Sequence, residues 1–115
     1  MKIPEWSTPE EQMSQIGRHH WSVTRLHQLT KDFTPFEIVI DGMNVWHNYE
    51  KLSIRKFIMH MKAVLDADLT YPIILDEDGE IMDGRHRLMK AIYLGHTTIK
   101  AVRFESNPPP CRIDD

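Results

Sequence analysis

Apolar residues recur at i, i+3, i+4 and i+7 through Ile54, Phe57, Ile58, Met61, Val64 and Leu65. That is the spacing of one helix face, and Ser53 just before them suits an N-cap. The period changes to two in Phe36–Ile40, where Phe36, Ile38 and Ile40 alternate with Glu37 and Val39 and Asp41-Gly42 closes the run. This predicts a strand. Ile73–Leu75 is a short apolar run, Asp76–Gly79 has turn chemistry, and Glu80–Met82 returns, as in a hairpin. Asp83 or Gly84 then opens a helix with Leu88, Ala91 and Ile92 inward, and Gly95 ends it. Thr98–Phe104 reads as a closing strand.

Two helices are predicted before the first strand. Thr8, Pro9 and Glu11 form a helix-start signature, with Gly17 placed as the stop. Val23, Leu26 and Leu29 are at helical spacing in the stretch that follows, with His19-His20 at its exposed start. Neighbouring residues on a helix point about 100° apart, so this histidine pair is not expected to share a metal ion. The last segment contains three successive prolines and is expected to be extended and mobile.

The pattern amounts to one α+β domain: a small mixed sheet of four strands, with the Ser53–Leu65 and Arg85–Leu94 helices packed on it. Residues 1–35 form a helical N-terminal segment, 36–105 the domain proper and 106–115 a Pro-rich tail. A length of 115 residues suits one modest core. Formal net charge is -3 with His neutral, which argues against a protein coated in basic charge for nonspecific nucleic-acid binding. Any phosphate site must be a local patch. The single cysteine, Cys111, excludes an intrachain disulfide and a cysteine-pair zinc site. With no signal-peptide or membrane-length apolar run, a cytoplasmic protein is expected, not a membrane one.

One local patch stands out. Asp83, Gly84, Arg85, His86 and Arg87 fall where a strand gives way to a helix. The first amides of a helix have no intrahelical acceptor, and the macrodipole adds positive potential there. Gly84 lacks a Cβ, so a ligand could approach the main chain closely. Arg85 and Arg87 bring forked donors, and His86 can donate or transfer a proton near neutral pH. The set suits an anion, most naturally a nucleotide phosphate. Asp83 would repel that anion directly, so it must cap the helix, orient an arginine or hold Mg²⁺ beside the phosphates. Solvated basic side chains at an ordinary helix start are the plainer reading.

Other features carry less. Asp76, Glu77, Asp78 and Glu80 lack the spacing of a calcium loop and read as a solvated turn. Met59, Met61, Met82 and Met89 read as core filler. Trp46 reads as a plug at the core edge.

The stretch YPIILDEDGEIMDGRHRLMKAIYLGHTTIKAVRF resembles the core of the ParB/sulfiredoxin-like superfamily, in which a strand, a glycine–arginine turn, a helix ending in Gly and a closing strand follow in this order. The resemblance spans about Phe36 to Phe104. It implies a nucleotide (ATP, ADP or CTP, with Mg²⁺) held at Gly84, Arg85, His86 and Arg87. Asp83 and His86 would be the catalytic candidates of a phosphotransferase or nucleotide hydrolase. It also implies that the loop with His47, Asn48 and Tyr49 approaches the nucleotide. In sulfiredoxins a catalytic cysteine precedes the His-Arg pair. Arg85 stands there in this chain, so sulfinic-acid reduction by that route is not expected. The turn is similar to the DGHHR-like turn of free-serine kinases. Partition proteins of the superfamily suggest a second reading, a non-catalytic accessory module that meets DNA through a partner protein. A nuclease is a third, and no acidic metal cluster supports it.

Overall fold

The computed structural model describes residues 13–43 and 52–114. The described residues form a single-domain α+β protein with three α-helices and two sheets. The larger sheet contains β3 (Phe36–Val39), β4 (Ile73–Leu75), β5 (Ile81–Asp83) and β6 (Thr98–Arg103), in the order β3-β6-β4-β5. These are the four strands expected from the alternation. The sheet is mixed: β4 runs parallel to β6, while β3–β6 and β4–β5 are antiparallel. The parallel pair needs a crossover, which β5 and α3 (Arg85–Tyr93) provide.

Both faces of this sheet are buried. On one, Ile73 and Leu75 of β4 join Ile81, Ile99, Ala101 and the α3 residues Leu88 and Ala91. On the other, Ile74, Met82, Val102 and Phe104 meet Trp21 and Leu26 from the N-terminal segment. Successive strand side chains point to opposite faces, so a central strand covered on both sides reads as a continuous apolar run. That accounts for the unbroken Ile73-Ile74-Leu75. The segment before β3 thus covers one face of the sheet with Trp21 and Leu26 instead of lying outside the core.

That segment differs from its sequence-based expectation. Its described part begins with β1 (Met13–Ile16) and β2 (His19–Ser22), an antiparallel hairpin, where a helix ending at Gly17 was expected. Gly17 is at the hairpin tip with φ +59°, which glycine adopts without steric cost. The helix start signalled by Thr8, Pro9 and Glu11 lies outside the described residues. The second helix begins later than expected, as α1 (Val23–Thr30), because Ser22 takes the N-cap and accepts from the Arg25 amide at 3.2 Å. His19 and His20 are therefore on a strand, with His20 buried and His19 exposed.

The tail is extended, as expected, and takes part in a sheet. Arg112–Ile113 forms β7, which pairs with β2 to complete a second sheet, β1-β2-β7. Polar contacts hold the segment leading to it: Trp21 Nε1 donates to the Pro108 carbonyl at 2.9 Å, and Arg25 Nη1 to that of Pro109 at 2.8 Å. The Cys111 amide donates to the His20 carbonyl at 2.7 Å. Three prolines cannot enter a central strand. They can run extended into a short edge strand, and they do so here.

Helix α2 (Ile54–Asp66) starts where expected, with Ser53 Oγ accepting from the Lys56 amide at 3.2 Å. It packs chiefly against α3. Lys90 of α3 closes its far end, donating to the Leu65 and Ala67 carbonyls at 2.9 and 2.7 Å. Asp76 is not part of a solvated turn. It is buried, and its carboxylate accepts from the Asp78 and Glu80 amides, both at 2.8 Å.

Candidate functional site

The Asp83–Arg87 turn is where the sequence puts it, between the end of β5 and the start of α3. Gly84 is the N-cap residue, with φ +107°. No side chain caps α3, and no acidic residue stands in its first turn.

Gly84 is required for a reason other than ligand approach. A Cβ there would sit 2.6 Å from Ile73 Cγ2 and 2.9 Å from Arg87 Nη2. The space beside it is filled by the protein's own side chains, and the strand-to-helix turn closes tightly on β4.

Asp83 takes one of the three roles open to it: it orients an arginine. Its Oδ2 accepts from Arg87 Nη2 at 2.9 Å and from His27 Nε2 at 2.8 Å. Arg87 Nη2 also reaches the Pro72 carbonyl at 3.3 Å. Arg87 is therefore drawn inward, with its side chain 16% exposed and its Nε buried without a hydrogen-bond partner among the described residues. Burial pushes the Asp83 carboxyl pKa up. The hydrogen bond from His27 and the charge and hydrogen bond of Arg87 outweigh it, so the group stays below the ordinary carboxylate value.

His86 is turned to α2. Its Nε2 lies 2.9 Å from Nδ1 of His60, with the rings 5.2 Å apart between centroids. One ring nitrogen must donate and the other accept, so the pair holds at least one neutral imidazole in this geometry. Arg85 is half-buried beside it at the first helical position. The turn thus divides into an inner part, Asp83 and Arg87, and an outer part, Arg85 and His86.

The sequence reading missed His27 and His60. Each lies on a separate helix far along the chain from its partner, and no local motif marks it. The expected contributors His47, Asn48 and Tyr49, together with Trp46, lie outside the described residues. Among the described residues no group of three or more His, Cys, Asp or Glu is arranged to hold a metal ion. A shallow groove is lined by Asp66–Thr70, Lys90, Leu94 and Lys100, at the opposite end of α3 from the turn. No helix among the described residues is long and apolar enough to cross a membrane.

No family model matches the chain, and comparisons with curated proteins and with solved structures also found no match.

Proposed function

We propose that this is a ParB/sulfiredoxin-like domain that binds the phosphates of a nucleotide at the β5–α3 turn. The observation that carries the reading is the start of α3. An uncapped helix N-terminus with no acid in its first turn follows a carboxylate already ion-paired with Arg87 and hydrogen-bonded to His27. Positive potential at such an end is offset by nothing on its own helix. The order of strands and helices around the turn supports the same reading.

The geometry changes the roles expected within the motif. Arg85 and His86 are the side chains that meet the phosphate, with His60 joining through His86. Arg87 and Asp83 position the turn from behind, and Gly84 lets it close. His86, coupled to His60, is the candidate for proton transfer should turnover occur.

Thermal shift and calorimetry with ATP, ADP, CTP and GTP, each with and without Mg²⁺, test the proposal. A ligand at about 100 times its Kd should stabilise the fold by roughly 2–3 kcal/mol. Arg85→Ala and His86→Ala should remove that stabilisation while leaving the ligand-free melt close to wild type. No response to any of the eight conditions, or a response unchanged in both variants, would discard the turn as the site. Retention on DNA that falls steeply with salt would favour the accessory-module reading instead.

A further inference from the structure

Residues 105–114 form a strap that lies on the domain as a ligand lies on its receptor. None of them is buried, and none belongs to either core cluster. The surface beneath is the reverse. His20 and Trp21 are buried, and Trp21 sits in a cluster built from α1 and the larger sheet without any residue of the strap. The receiving surface is thus fixed by the core, and the strap adds nothing to that core.

What holds the strap is largely its main chain. Trp21 Nε1 and Arg25 Nη1 donate to the carbonyls of two successive prolines, Pro108 and Pro109. The Cys111 and Asp114 amides then donate to the carbonyls of His20 and Arg18, so the strap ends by adding a strand to β2. Asn107, Pro108 and Pro109 each precede a proline, which confines them to extended backbone, and the proline rings fix φ. A segment stiffened in this way presents its carbonyls in advance and loses little entropy on docking. An indole N–H on a proline carbonyl, followed by strand addition at a sheet edge, joins two recurring modes of peptide recognition.

We propose that the surface formed by Trp21, Arg25 and the outer edge of β2 is a docking site for a partner protein's proline-rich segment, and that the chain's own strap occupies it in cis. The segment seated there sets the chemistry of the partner: consecutive prolines over Trp21 and Arg25, then a few residues that pair with β2. A short tether gives the strap an effective concentration on the order of millimolar. A partner segment therefore gains the site when the strap's hold is loosened. This goes beyond the nucleotide reading and does not depend on it.

Fluorescence anisotropy on the full chain tests it, with a labelled peptide of residues 105–115 carrying Cys111→Ser as the probe. Wild type should bind the peptide weakly, because the strap fills the site. Pro108→Gly, Pro109→Gly and Pro110→Gly together loosen the strap and leave the surface beneath unaltered, and should tighten peptide binding about tenfold. In that background Arg25→Ala should weaken the peptide about tenfold again, as should Trp21→Phe, which keeps a ring in the core and removes the indole donor. The Trp21 indole N–H resonance, assigned by its loss in Trp21→Phe, reports the strap directly. It should shift in the triple variant and return when peptide is added. An indole signal unmoved by the three substitutions, a loosened chain that does not take up the peptide, or uptake indifferent to Arg25→Ala or to glycines in place of the peptide's prolines would each overturn the proposal.

Discussion

Two clusters of histidine, aspartate and arginine hold this molecule, one beneath the β5–α3 turn and one in the small sheet. In the first, Asp83 accepts from His27 and Arg87. In the second, His20 Nε2 lies 2.8 Å from Asp114 Oδ2, and Arg112 approaches both. The chemistry is the same and the burial is reversed. Asp83 is 17% exposed against 45% for His27, whereas His20 is 7% exposed against 45% for Asp114. A buried carboxylate must keep its charge compensated, and removing a partner leaves that charge stranded. An exposed carboxylate is hydrated whether or not its partner is there. The first cluster therefore constrains the fold, and the second fastens a strand.

The largest test of this contrast is Gly84→Ala. Gly84 is left-handed and crowded, so the new methyl would meet Ile73 and the Arg87 guanidinium, whereas a Cβ at left-handed Gly17 beside the second cluster would meet nothing within 4 Å. Torsional strain and overpacking should together cost about 3 kcal/mol, read as a large fall in the urea midpoint. Next comes Arg87→Ala, which strands Asp83 with His27 alone. A loss of about 2 kcal/mol is expected in the same titration. Arg112→Ala, the matching change in the second cluster, should move the midpoint by no more than about 0.5 kcal/mol.

Acid unfolding sharpens the comparison further. The Asp83 pKa is depressed in the folded state. Its contribution is then fully present above the unfolded value near 3.9 and is lost as pH falls through the lower folded value. Melting temperatures measured from about pH 5 to pH 2 should fall less steeply in Asp83→Asn than in wild type. The Asp114 pKa is lowered by its bond from His20, but that carboxylate is at the surface. Asp114→Asn is expected to leave the acid slope nearly unaltered, the smallest effect of the series. Equal slopes for the two variants would erase the distinction drawn from burial.

Much of the larger sheet was readable from local pattern. The alternation at Phe36–Val39, the apolar Ile73–Leu75, the Ser53 cap and the DGRHR turn are each contained within a few residues of chain, where local chemistry decides. The small sheet was not readable. In Met13–Ile16 the buried position is Ser14 and Met13 is exposed, so no apolar alternation marks the strand, and a two-residue strand after three prolines has no period. Both depend on pairing with His19–Ser22, which in turn looked like the beginning of a helix because α1 follows directly. The site divided in the same way. Asp83–Arg87 could be picked out because it is contiguous, whereas His27 and His60 join it only through packing.

Joining Arg112 to His20 encloses almost the entire described domain in one loop. Chain-closure entropy places so distant a contact late in folding. Until it forms, β2 presents its outer row of amides and carbonyls to water, ready to be copied by another chain. Arg112 and Ile113 thus act as a lid on an otherwise adhesive margin. Chains cut just ahead of them should clump during refolding, even where the four-stranded sheet has assembled.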